Sequence, residues 1–147
     1  MAHDASAPTA IVHGTCVAVA GRAVLIIGAS GSGKSALALK MMGYGADLVA
    51  DDRTVLTRVD DVVIASAPPT IAGLIEARGV GLLRSEVSGP HPVVLLVDMD
   101  RVEGDRLPQP HWREMLDLRL QTLHKVETDH FPAALVQYLK CGRRDPE

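Results

Sequence analysis

The chain has 147 residues, 47% of them hydrophobic, and a formal net charge of −3. That length suits one domain with a real core, and the weakly acidic balance without a basic patch argues against a nucleic-acid partner. No apolar stretch reaches the ~18 residues of a membrane span, and the start Met1-Ala2-His3-Asp4-Ala5-Ser6-Ala7-Pro8 is not a signal peptide. The two cysteines, Cys16 and Cys141, lie far apart without metal spacing and read as reduced thiols, which points to the cytoplasm. Cys16 falls in an apolar run and reads as core. We expect one domain over residues 1–147, flexible at 1–10 and 141–147.

In chain order, Ile11 to Ala20 is strand-like, and Gly21-Arg22 turns it into the apolar run Ala23–Ile27, a hairpin. A helix follows from about Gly33 to Met42 and stops at Gly43-Tyr44-Gly45, where glycine caps it. Leu48-Val49-Ala50 is a short strand running into Asp51-Asp52. Thr54–Val59 and Val62–Ala67 read as a second hairpin around Asp60-Asp61, broken by Pro68-Pro69. Ile71–Ala77 reads as a short helix stopped by Gly79-Val80-Gly81. Pro92 leads into the buried strand Val93–Val97, and Arg101 to Pro110 is a polar, proline-bearing loop. Leu116 to Val126 alternates as strand, and Phe131 to Lys140 is a last helix with Pro132 near its start. Two hairpins around a strand–loop–helix unit imply an α/β fold with a mixed sheet rather than a fully parallel one.

The segment Gly28-Ala29-Ser30-Gly31-Ser32-Gly33-Lys34-Ser35 fits the phosphate-binding pattern G-x-x-x-x-G-K-[ST] at every fixed position. It follows a strand and opens a helix, the context this loop requires. Glycines let successive backbone N–H groups turn inward, and the helix N-terminus adds its partial positive charge. Lys34 would reach the β- and γ-phosphates of a nucleotide, and Ser35 would hold Mg²⁺ through its hydroxyl.

Such a loop needs a carboxylate to complete the metal site, and two candidates compete. Val94-Leu95-Leu96-Val97-Asp98 has four apolar residues and then an acid. Leu48-Val49-Ala50-Asp51-Asp52 is shorter but ends in a pair, and a pair can divide metal binding and proton acceptance if the strand end splays it. Pattern alone does not separate them. His13 lies in the strand before the loop and has an ordinary structural reading beside a functional one. Glu76 and Arg78 punctuate Leu74–Gly81; they are either an exposed ion pair or groups that approach a transferring phosphate.

Taken together, the residues resemble the catalytic domain of HPr kinase/phosphorylase, which phosphorylates a serine of the phosphocarrier HPr. The matching pieces come in order: His13-Gly14, Gly28–Ser35, Ala50-Asp51-Asp52-Arg53, Ala67-Pro68-Pro69, and Glu76-Ala77-Arg78-Gly79-Val80-Gly81. The resemblance is strong from Val12 to Gly81 and looser beyond. It implies a P-loop kinase domain related to phosphoenolpyruvate carboxykinase, ATP and Mg²⁺ as cofactors, and an HPr-like phosphocarrier as partner. It assigns Lys34 to the phosphates, Ser35 and Asp52 to Mg²⁺, and Asp51 to the serine proton. His13 would tune that acid, Glu76 would serve a second metal position, and Arg78 would neutralise transferred charge. Asp98 falls back to a structural role.

The sequence departs from the family pattern in showing no N-terminal domain before His13, in Ala36 where an acid is common, and in a divergent region after Gly89. It thus resembles the truncated alphaproteobacterial form, and the departures bear on the reverse phosphorylase reaction and on sugar-phosphate control. The resemblance implies a homo-oligomer, a hexamer in the family. Two rival readings are a small-molecule kinase like phosphoenolpyruvate carboxykinase and a nucleotide-binding regulator without transfer activity.

Overall fold

The computed structural model describes residues 7–144. The chain runs through β1 (Thr9–Val19), β2 (Arg22–Ile27), α1 (Lys34–Gly43), β3 (Asp47–Ala50), β4 (Arg53–Val59) and β5 (Val62–Ser66). It continues through a 3-10 turn at Pro69–Ile71, β6 (Leu74–Ala77), β7 (Gly81–Arg84), β8 (His91–Val102), β9 (His111–Met115), β10 (Leu118–Lys125) and α2 (Phe131–Cys141). Of the ends expected to be flexible, residues 1–6 and 145–147 lie outside the described residues. Thr9 and Ala10 already belong to β1, and Cys141 closes α2.

The sheet is mixed, as the two hairpins imply. Its order is β2-β1-β4-β5-β8-β10-β9, with β3 added to β1 and a further pairing of β2 with β8. Because β2 also pairs with β8, the first five of these strands close into a ring. Two long strands make that possible. β1 pairs with β4 over Thr9–His13 and with β2 over Gly14–Val19. β8 touches β5 through His91 and Pro92, then runs parallel to β2 over Val93–Asp98. Gly14 sits at the crossover in β1; a Cβ there would meet the Ile26 carbonyl oxygen at 2.9 Å, so no other residue lets the two backbones approach this closely.

Apolar residues line both faces of the central strands. Val24 and Ile26 of β2 face the layer formed by Leu37 and Met41 of α1 and Leu135 and Leu139 of α2. Leu25 and Ile27 face the opposite way, toward Leu56, Val63 and Ala65 of the β4–β5 hairpin. This two-sided burial is why Ala23–Ile27 reads as a continuous apolar run rather than an alternating one. α1 ends where Tyr44 N–H donates to the Met41 carbonyl and Gly45 N–H to that of Met42, at 2.9 and 3.0 Å. α2 ends with Gly142 N–H on the Tyr138 carbonyl at 2.7 Å.

Two expectations are corrected and one strand went unread. Ile71–Ala77 is not a helix: Leu74–Ala77 is a strand paired with Gly81–Arg84, with a turn at Gly79. Its burial alternates, Ile75 and Ala77 inward and Glu76 outward, which is strand periodicity, and Gly73 with φ +78 interrupts any helix before it starts. The stretch after Asp100 is not wholly loop, because β8 extends to Val102. No sequence pattern announces the edge strand β9, His111–Met115; its two apolar residues, Trp112 and Met115, stand three apart, so no two-residue alternation marks them.

Candidate active site

β2 delivers the chain into the loop Gly28–Ser35, and α1 begins at Lys34 directly behind it. The N-cap Gly33 holds φ +97, a left-handed conformation that turns the chain into the helix at no Cβ penalty. Inside the loop, Ser32 N–H donates to the Ala29 carbonyl at 3.0 Å. Lys34 reaches back along its buried stem and donates through Nζ to the carbonyls of Gly28 and Ala29, at 2.8 and 3.0 Å. Ser32 Oγ is buried and has no hydrogen-bond partner among the described residues. An ammonium across the mouth of a glycine loop, an orphaned hydroxyl within it and a helix N-terminus behind it make a donor set fitted to phosphate oxygens.

The paired acids are splayed, as their position at a strand end allows. Asp51, at the end of β3, points inward and is 6% exposed. Its Oδ1 accepts from Ser35 Oγ at 2.6 Å and from Thr15 Oγ1 at 2.9 Å, and its Oδ2 accepts from the Glu76 backbone N–H at 3.0 Å. Three donors converging on two oxygens suit an ionised carboxylate, which is acceptor-only. Asp52 adopts φ +68 and turns outward, its side chain 56% exposed. Its Oδ1 lies 3.0 Å from His13 Nε2, and its Oδ2 lies 3.4 Å from Arg53 Nη1. The left-handed residue between β3 and β4 is what sends neighbouring side chains to opposite sides.

The resemblance implies Mg²⁺ at Ser35 with Asp52 and the proton at Asp51. In the structure Asp51 contacts Ser35, and Asp52 lies beside His13 at the surface. His13, Lys34, Ser35, Asp52, Glu76 and Arg78 all line one cleft of about 530 Å³. Ser35, Asp51, Asp52 and Glu76 also border a smaller one of about 300 Å³. Glu76 contributes its backbone to Asp51, while its side chain is exposed on β6.

Asp98 stands apart from this arrangement. It pairs in register with Ile27 across β8, and its carboxylate accepts Asp100 N–H at 2.9 Å. Its Oδ2 lies 3.7 Å from Arg101 Nε and 3.6 Å from Arg113 Nη1. These contacts tie it to the outer part of β8 and to β9.

Two residues of the site belong to no motif read from the sequence. Thr15 is fully buried, donates to Asp51 and lies two positions after His13 on the same strand face. That alternation is the signal that could have found it. Asp100 accepts the Ala29 N–H with both carboxylate oxygens, at 3.0 and 3.1 Å, and so holds the first turn of the phosphate loop. Nothing local marks it, because its partner is 71 positions away.

This chain is similar to known proteins. A family model for the HPr serine kinase C-terminal domain matches residues 4–89. The HPr kinase/phosphorylase of Bacillus licheniformis is 49% identical over 78 residues, which cover 52% of this chain and 25% of that protein. The HPr kinase/phosphorylase of Bordetella pertussis is likewise 49% identical over 78 residues. The chain thus spans about a quarter of the length of the curated relatives it matches. The solved Hpr(Ser) kinase/phosphatase from Coxiella burnetii superposes with a TM-score of 0.74 over 89% of this chain and 88% of that one, at 20% identity, a likeness of fold.

Proposed function

This chain belongs to the HPr serine kinase C-terminal domain family, and from that membership we propose that it transfers the γ-phosphoryl group of ATP to a serine of an HPr-like phosphocarrier. The observation that carries the reading is the division of the paired acids, Asp51 held inward on Ser35 and Asp52 held outward on His13.

Phosphoryl transfer to a hydroxyl needs a loop for the phosphates, a ligand set for Mg²⁺ and a group that takes the hydroxyl proton. Gly28–Ser35 and Lys34 would hold the phosphates. Ser35 and Asp51 would hold Mg²⁺, which supplies charge neutralisation between the phosphates when bound. Asp52 would accept the serine proton, because its carboxylate is exposed to the cleft from which a protein substrate approaches. His13, 3.0 Å away, orients that carboxylate. Arg78 lines the same cleft and would neutralise charge on the transferring group. Glu76, on the rim of both clefts, would serve a second metal position. In the phosphorylase direction inorganic phosphate would attack the phosphoserine phosphorus, the serine O–P bond would break with the oxygen taking the proton from Asp52, and pyrophosphate would leave.

The same reading includes a cytoplasmic location and a homo-oligomer. Among the described residues no helix is long and apolar enough to cross a membrane.

The test is incubation of the chain with γ-labelled ATP, Mg²⁺ and HPr. Label on an HPr serine is the expected result. Nucleotide binding with no label on any protein would overturn the reading in favour of a regulator, and label on a small molecule in favour of a metabolite kinase.

A further inference from the structure

Beyond the active site, three metal-ligating side chains converge from three separate stretches of chain. Glu103 follows β8, His111 opens β9 and His124 lies near the end of β10. One ligand atom from each lies within 4.8 Å of the others, and all three side chains are half-buried. His111 Nε2 stands 3.4 Å from Glu103 Oε1. The His111 and His124 rings stack with centroids 3.8 Å apart and planes 15° from parallel. All three residues lie beyond the 4–89 segment matched by the family model, and none enters the phosphate-transfer reading above.

We propose that Glu103, His111 and His124 bind one divalent transition-metal ion of the zinc class, with a further coordination position open to water or an external ligand. Two imidazoles and one carboxylate form a donor set that suits zinc and its neighbours and does not suit Mg²⁺, which prefers oxygen alone. Metal–ligand bonds of about 2.0–2.2 Å put tetrahedral donors roughly 3.3 Å apart. The Glu103–His111 separation of 3.4 Å already meets that spacing.

The sheet fixes the geometry. His111 pairs with Thr122 across β9 and β10, so His124, two positions on, projects from the same face. Glu103 N–H donates to the Lys125 carbonyl at 2.8 Å and anchors the third ligand to the end of β10. The Glu103 carboxylate has its own orienting donor, the Asp105 N–H at 3.1 Å from Oε2, the outer support that metal ligands need.

The experiment uses the untagged full chain with millimolar Mg²⁺ present, so that the phosphate site is supplied with its hard cation. Titration with Zn²⁺ by calorimetry should give one equivalent bound, a higher thermal midpoint, and with Co²⁺ the visible bands of a low-coordinate imidazole site. Glu103→Gln and His111→Gln should each weaken Zn²⁺ binding at least ~10–100-fold. Substoichiometric Zn²⁺ binding by the wild-type chain would overturn the proposal. So would an affinity unchanged in folded His111→Gln protein, since the ion then sits elsewhere, for example at His13 and Asp52. His111 is at the start of an exposed edge strand, so this variant keeps the test available if a change at His124 prevents folding.

Discussion

Ser35 Oγ donates to Asp51 Oδ1 at 2.6 Å, and this contact joins the phosphate loop to the end of β3. The same Asp51 oxygen takes Thr15 Oγ1 from β1, and the other takes the Glu76 N–H from β6. One carboxylate therefore ties four elements together at the point where phosphate chemistry would occur. The Asp52 carboxylate, next in sequence, contacts His13 and Arg53 instead, while its backbone N–H donates to Thr15 Oγ1 at 3.4 Å.

That division sets opposite phenotypes for two isosteric changes. Asp52→Asn should lower kcat for phosphoryl transfer by about 10²–10⁴ while leaving Mg²⁺-dependent ATP affinity unchanged. Asp51→Asn should instead weaken Mg²⁺-dependent ATP binding, because it touches the Ser35 side of the site. Single-turnover transfer and nucleotide titration on both variants decide the matter. The reverse partition would restore the assignment of the proton to Asp51 and the metal to Asp52.

Asp100 anchors the loop from a distance. Asp100→Ala removes the acceptor for Ala29 N–H and should raise the Kd for ATP about tenfold, in keeping with loss of one charge-assisted hydrogen bond. Asp100→Asn keeps an acceptor oxygen while removing a negative charge near the phosphates, so it should bind ATP as well as the wild type or better. If the alanine variant binds no worse than the asparagine one, the anchor has no role.

Gly73 has φ +78, and a Cβ there would meet the Ser85 carbonyl oxygen at 2.7 Å. Gly73→Ala should therefore destabilise the chain by more than about 1 kcal/mol, read as a lower urea midpoint. The strain falls on the start of β6, which supplies the Glu76 N–H to Asp51. Nucleotide affinity should drop with it, and an unchanged midpoint would contradict the close crossing.

Cys16 is fully buried, and burial holds its thiol far above the ordinary range. The thiolate is the reactive form, so raising its pKa keeps the group neutral and inert. At mildly alkaline pH, iodoacetamide should label exposed Cys141 in the folded chain and reach Cys16 only after denaturation. Mass spectrometry of the two peptides reads this directly. Equal labelling in the native state would mean that the sheet opens at β1.

Much of the site is legible in the order of residues alone. The loop Gly28–Ser35 declares itself because its glycines, lysine and serine act on one ligand from consecutive positions, so order along the chain is order in space. Ala23–Ile27 and Phe131–Lys140 are also readable, since burial of a whole strand or of one helix face leaves a local periodicity. β6 misleads because four residues are too few for a period to declare itself, and β9 is silent because Trp112 and Met115, three apart, show no strand alternation. Resemblance to a family narrows the metal carboxylate to the Asp51-Asp52 pair over Asp98, again from residues in order.

Tertiary structure decides what consecutive residues cannot express. Asp51 and Asp52 are chemically identical neighbours, and the fold sets one against Ser35 and the other, at a left-handed φ of +68, beside His13. Asp100 meets Ala29, and Glu103 meets His111 and His124, only because parallel pairing sets β2, β8 and β10 side by side and antiparallel pairing adds β9 to β10. Residue order establishes that a phosphate-binding loop and a kinase family's ordered residues are present. Which atom faces which is left to contacts between distant strands, because hydrogen bonds and ligand sets depend on distances of about 3 Å that no spacing in the chain encodes.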